Sequence, residues 1–352
     1  MTTYRRTLTG TGLIVTVMQG RRDPVEQADE HSRDLYDVST WEPRSALDRL
    51  ACSVYNGISY GLQTIVLAVA FVITLALLAQ PAVLVVEEPP LAVFFGLSVV
   101  PAALLAAFIW YSDITTNEPL GLLVATFILA VLFATFAAVV NSTMGPSFQA
   151  IPVVGTLLFF YLIVGPVEEA VKLLAVRVFA YRSDTFDAVI DGAVYGAVAG
   201  LGFAAIENAI YIAGTVAQAG VGTVTAATGI ATVRALVGPG HVIYSAIAGY
   251  YLGLAKFNPQ HAGPLVVKGL LVAAFVHGTY NVTVGIVPEV VASAYPISFG
   301  LAFVSYVILF DLAVGYYLYR KIVRYRRTYR AVRDETTVPS KPGRTEFEPP
   351  QR

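Results

Sequence analysis

Eight times between residues 63 and 319 the chain runs for about twenty residues with almost no charge, the length needed to cross a ~30 Å hydrocarbon core. The runs cover 63–86, 91–111, 120–140, 160–180, 190–213, 235–255, 265–287 and 295–319. In lipid every backbone N–H and C=O must find its partner inside the segment, so each run must be a helix. The expected fold is all-α, a polytopic membrane bundle of about eight transmembrane helices.

The composition agrees. Of 352 residues, 56% are hydrophobic and 13% charged, against about 25% charged in soluble domains. A disordered chain is excluded. The net charge of −1 hides a segregation. Of 23 Lys and Arg, seven precede residue 62, ten follow from Arg320 and six lie between. That distribution argues against a nucleic-acid partner. With Cys52 as the single cysteine, disulfide scaffolds, cysteine-ligated zinc and iron–sulfur clusters are excluded.

Arg-rich segments stay cytoplasmic. Both tails are Arg-rich, so both termini are expected inside, which requires an even number of spans. Arg177, Arg182, Lys256 and Lys268 fall at inside connections, and Arg234 alone at an outside one. Arg5-Arg6 followed by the apolar residues 13–18 mimics a twin-arginine signal. The run is too short and Arg21-Arg22-Asp23 interrupts it. The expected plan is a cytoplasmic arm (1–61, with a surface helix within 23–50), a three-helix membrane scaffold (62–149) and a catalytic membrane core (150–287). A last transmembrane helix (288–320) and a cytoplasmic tail (321–352) follow, the tail basic and then disordered.

Ionisable side chains inside hydrocarbon are costly and mark function by default. The first three spans carry none. The last five carry Glu168, Glu169, Lys172, Asp191, Glu207, His241, His277 and Asp311. Glu168 and Lys172 are i,i+4 on one helix face, within ion-pair reach. Glu169 is turned about a quarter turn away, so the two carboxylates meet different surroundings, and one of them could serve as a general base. The plainer alternative is a buried Glu–Lys pair that fixes packing. Glu207 lies between Phe203 and Tyr211, one turn to either side. It suits a metal ligand, a proton carrier or a packing node. Gly192, Gly196 and Gly200 form a small-residue stripe that permits close helix contact. Gly238-Pro239-Gly240 is expected to break regular helix before His241. His277 and Asn281 are i,i+4 and face one cavity. Two histidines with one or two carboxylates and a water is a composition of catalytic zinc. Asp311 has no place in this set.

Taken together, residues 150–287 resemble the PrsW family of intramembrane proteases, in a superfamily shared with the CAAX prenyl endopeptidases. The resemblance rests on Glu-Glu-x-x-Lys (Glu168, Glu169, Lys172), Phe-x-x-x-Glu (Phe203, Glu207) followed by Asn208, a separate His241, and His-x-x-x-Asn (His277, Asn281). Asp191-Gly192 and Arg234 fit as well. Lys172 and Glu207 favour the PrsW branch, because CAAX-type relatives typically have Glu-Glu-x-x-x-Arg and Phe-x-x-x-His instead. The resemblance implies a membrane-embedded endopeptidase acting on membrane-anchored protein substrates within the lipid of the cell membrane. Glu168 would activate water with support from Glu169, Lys172 belongs to the same catalytic set, and Asn281 would help hold the oxyanion. Glu207, His241 and His277 would bind a divalent metal, zinc by the ligand types, or serve as hydrogen-bonding groups in a metal-free glutamate mechanism. A proton- or ion-coupled transporter and a CAAX-type prenyl-protein endopeptidase are the competing readings. A transporter should show repeated halves with broken helices, and no such repeat is found.

Overall fold

The computed structural model describes residues 43–115, 118–219 and 223–337. The expected surface helix within 23–50 lies largely outside them, and so does the tail beyond residue 337. The chain divides into two units, Met1–Val66 and Leu67–Arg352. In the first, the Ser45 hydroxyl accepts from the Asp48 N–H at 3.0 Å and Asp48 accepts from the Ser45 N–H at 2.7 Å. This reciprocal cap starts a helix. The site and its scaffold lie wholly in the second unit.

No strand occurs among the described residues. In chain order the helices are α1 (Ala46–Glu87), α2 (Leu91–Tyr111), α3 (Leu120–Gln149), the short α4 (Gly155–Phe159), α5 (Gly165–Val178), α6 (Val189–Ala219), α7 (Thr223–Lys256), α8 (Ala262–Ala294) and α9 (Phe299–Thr337). Among them, seven segments are long and apolar enough to cross a membrane: Thr64–Glu87, Leu91–Tyr111, Leu120–Gln149, Val189–Ala219, Thr223–Lys256, Pro259–Ala294 and Phe299–Val332. The expectation was about eight, and the segment outside this count is 160–180, which is helical but not one uninterrupted α-helix. A π-turn, Phe160–Val164, separates α4 from α5. Glu168, Glu169, Lys172 and Arg177 then dilute the apolar character of α5. Single π-turns inside helices recur at functional sites, and this one immediately precedes the paired glutamates.

Two helices form the centre, and the second, α7, runs through Gly238-Pro239-Gly240 without the break expected there. The apolar windows of α6 and α7 are 78% and 61% buried, against 17% for those of α1 and α9. The outer helices turn large apolar side chains such as Leu104, Leu271 and Leu309 outward, a surface suited to lipid tails and not to water. The protein is an integral membrane protein.

The glycine stripe sets the contact at the centre. A Cβ on Gly192 would strike the Gly249 carbonyl, one on Gly196 the Ser245 carbonyl, and one on Gly200 the His241 carbonyl. As the number rises on α6 it falls on α7, so the two helices are antiparallel with backbones in contact. Continued for two more turns, the same register brings Glu207 on α6 opposite Arg234 on α7, and these two pair. A small-residue seam thus places the polar residues. Gly249→Leu should force the helices apart. We expect a lower Tm in detergent, because overpacking costs ~1–3 kcal/mol, together with lost activity as the register slips. An unchanged Tm would refute this account of the seam.

Candidate active site

Glu168 comes from the first turn of α5. It is 4% exposed. Its Oε1 accepts from Asn141 Nδ2 at 3.0 Å. Its Oε2 lies 3.7 Å from His277 Nε2 and 3.9 Å from Lys172 Nζ, and is buried with no hydrogen-bond partner. One oxygen is anchored and the other is open.

Glu169 is the opposite case. It is fully buried, and every direction is used. Oε1 accepts from Lys172 Nζ at 2.7 Å and from His277 Nδ1 at 3.0 Å, and Oε2 accepts from Ser245 Oγ at 3.1 Å. Lys172 therefore makes its close ion pair with Glu169 at i,i+3 and only a long approach to Glu168 at i,i+4. Its ammonium also donates to His241 Nδ1 at 3.0 Å and lies 4.2 Å from the centre of the Phe203 ring. An ammonium has only donors, so His241 Nδ1 is the accepting nitrogen. The proton then sits on Nε2, which donates to Glu207 Oε2 at 2.9 Å. A carboxylate only accepts, so His277 donates through Nδ1 to Glu169, and its Nε2 faces the open oxygen of Glu168. A histidine oriented by a carboxylate on its far nitrogen is the usual arrangement behind a metal ligand.

Glu207 is held from two sides. Arg234 Nη2 and His241 Nε2 both reach its Oε2. Arg234 is itself fixed: Nε donates to Asn208 Oδ1 at 2.8 Å, Asn208 Nδ2 donates to the Ser98 carbonyl at 3.0 Å, and the guanidinium lies 4.5 Å from the centre of the Tyr211 ring. Asn208 is thus turned away from the glutamates and positions Arg234.

A cavity of about 730 Å³ opens over these groups. Glu168, Glu207, His241, His277 and Asn281 line it, whereas Glu169 and Lys172 stand behind its wall. Apolar side chains such as Val164, Ile206 and Phe303 complete it. Its size suits a short stretch of polypeptide. One group of three could hold a metal here: Glu168, His241 and His277 each bring a ligand atom within 4.8 Å of the other two. Glu207 is outside that convergent set and is engaged by Arg234 instead.

Several members of the site escape sequence reasoning. Asn141 looks like a loop residue after an apolar run, yet α3 continues to Gln149 and carries it to Glu168. Ser245 is one turn from His241, a spacing that could have flagged it. Tyr244 and Tyr280 line the cavity with buried hydroxyls that lack partners, and nothing in their sequence context distinguishes them from core tyrosines. Asp311 remains apart, in a separate apolar groove between α2, α7 and α9.

Known proteins were compared with the chain. Residues 118–313 match the family described as PrsW family intramembrane metalloprotease. The Protease PrsW of Halalkalibacterium halodurans is 29% identical over 186 residues, 52% of this chain and 80% of the relative. Those of Geobacillus kaustophilus and Bacillus subtilis are 32% and 28% identical over 191 residues each, 52% of this chain and 76% and 78% of theirs. No solved structure matches the chain significantly.

Proposed function

We infer that this chain, which belongs to the PrsW family of intramembrane metalloproteases, hydrolyses peptide bonds of membrane-anchored proteins in the cavity above α5, with Glu168 activating the water. Family membership makes it a membrane-embedded endopeptidase and weighs against the transporter and prenyl-protein readings. The observation that carries Glu168 is its open oxygen. Oε2 is the one carboxylate oxygen among Glu168, Glu169 and Glu207 that is buried with no hydrogen-bond partner. It faces His277 Nε2 at 3.7 Å.

A water between these two atoms can donate to both. Glu168 accepts its proton as oxygen attacks the scissile carbonyl, then returns that proton to the leaving amine. Asn141 keeps the carboxylate from rotating. Asn281 and the free hydroxyls of Tyr244 and Tyr280 are the donors available for the developing oxyanion. Glu169, with Lys172 and Ser245 attached, holds His277 in the tautomer that leaves Nε2 open. Lys172 and Glu207 fix the ring of His241 in the other tautomer, with the proton on Nε2. Glu169 and Lys172 act by positioning.

The residues present fit a divalent metal. An unpartnered buried carboxylate oxygen and an open imidazole nitrogen both face one point, and oxygen–nitrogen sets of this kind suit zinc. His277 and His241 would hold it with a carboxylate, His241 giving up its Nε2 proton. When bound, such a metal polarises the water and the carbonyl. Convergence favours Glu168 as the third ligand, and the pattern of motifs favours Glu207. Metal analysis of the purified protein tests the site. His277→Ala is expected to lose both metal and cleavage, and chelation of the wild type should abolish cleavage until zinc is restored. Full activity with no detectable metal would sink the metal assignment.

The orientation belongs to the same reading. If the interrupted segment from Gly155 to Val178 also crosses, the crossings become even and both Arg-rich termini lie in the cytoplasm. The substrate is then a protein whose anchor shares the cell membrane with this one.

A further inference from the structure

Asp191 is prominent in the sequence and unused by the catalytic cavity. It sits at the start of α6 beside two carboxylates from the α2–α3 connection. Asp113, Glu118 and Asp191 each bring a ligand oxygen within 4.8 Å of the other two. Among the described residues none of the three has an ion-pair partner. Glu118 is only 5% exposed, and neither of its carboxylate oxygens has a hydrogen-bond partner. Leaving such a group buried and unpaired is costly.

The other two acids are built as half-anchored ligands. Asp191 Oδ2 accepts from the N–H groups of Asp187 and Ala188 at 2.8 and 2.9 Å, while Oδ1 receives only a long 3.5 Å approach from Thr115. Asp113 Oδ1 accepts from the N–H and hydroxyl of Thr115 at 2.8 and 2.7 Å, while Oδ2 is buried without a partner. One turn past Asp191, the Tyr195 hydroxyl is also buried and unpartnered. The structure therefore collects open oxygens and no nitrogen or sulfur, the donor set of a hard cation. Calcium binds oxygens at 2.3–2.6 Å in tolerant geometry, so ligand atoms within 4.8 Å of one another fall inside its reach.

We propose that Asp113, Glu118 and Asp191 form a binding site for a hard divalent cation of the calcium class, which pins the α2–α3 connection to the N-terminal end of α6. The site is distinct from the catalytic cavity. Along α6, Asp191 and Glu207 are about 24 Å apart at 1.5 Å per residue. Its ligands also exclude the nitrogen donors that select zinc. Because α6 carries Glu207 and packs along α7, the cation stabilises the helix pair on which the catalytic groups stand.

The test uses the full chain in detergent, with Ca²⁺ as the probe, followed by calorimetry and thermal unfolding. The wild type and Glu168→Gln should each bind one Ca²⁺ with Kd of ~10⁻⁵–10⁻³ M, with a rise in Tm. Glu118→Gln and Asp113→Asn should each weaken binding by at least about tenfold, since affinity in such sites follows ligand charge. Should Glu118→Gln fail to fold, Asp113→Asn, at a less buried position, carries the comparison. Absence of Ca²⁺ binding to the wild type up to about 10 mM, well beyond the weakest such sites, would overturn the proposal. So would equal affinity in both variants.

Discussion

Glu168→Gln is expected to lower peptide-bond cleavage by at least about a hundredfold, because general base catalysis contributes ~10²–10⁴-fold. The amide keeps the shape and can still meet Asn141, but it cannot take a proton from water. The protein should insert and fold, with a Tm no lower than the wild type, since a buried open carboxylate oxygen is removed. Cleavage of a membrane-anchored substrate and bound metal are measured on the same sample. Metal retained with cleavage lost is the outcome for a base. Metal lost together with cleavage would make Glu168 a ligand, as its convergence with His241 and His277 would allow. Retention of more than about a tenth of the wild-type rate would rule out Glu168 as the base, given the magnitude above.

The second large effect is at Glu169. Its neighbour on the chain is open, whereas Glu169 compensates a fully buried ammonium and orients His277. Glu169→Ala leaves Lys172 charged in the bundle core, and removing one partner of a buried pair costs about 3–5 kcal/mol. The expected result is a large drop in Tm and loss of cleavage together. The double variant Glu169→Leu/Lys172→Met replaces the pair by apolar groups, which is often neutral for stability. It should recover the Tm but not the cleavage. His277 then lacks the acceptor that sets its tautomer, a loss typically worth 10–100-fold. Recovery of wild-type cleavage in the double variant would reduce Glu169 to a packing element.

Much of this was legible in the chain. Span length and the emptiness of charge lead to an all-α membrane bundle, because lipid leaves the backbone no other way to pair its polar groups. The cost of an ionisable group in hydrocarbon singles out Glu168, Glu169, Lys172, Glu207, His241 and His277 without any alignment. The π-turn within 160–180 was out of reach, because apolar content does not reveal one. The partners that each of the two glutamates meets were also out of reach. Adjacent residues of one type differ only in which neighbours their rotation about the helix presents to them.

Sequence alone determined that the chain is a membrane bundle and that its embedded polarity needs a purpose, since both follow from transfer of single groups into hydrocarbon. Tertiary structure alone decided the partners. The antiparallel contact of α6 with α7 brings Glu207 to Arg234, and α8 brings His277 to Glu169 across 108 positions of chain. Asn141 and Ser245 join for the same reason. A hydrogen bond depends on distances of a few tenths of an ångström between side chains on different helices. Those distances are set by how closely the backbones pack, which no single segment's composition contains.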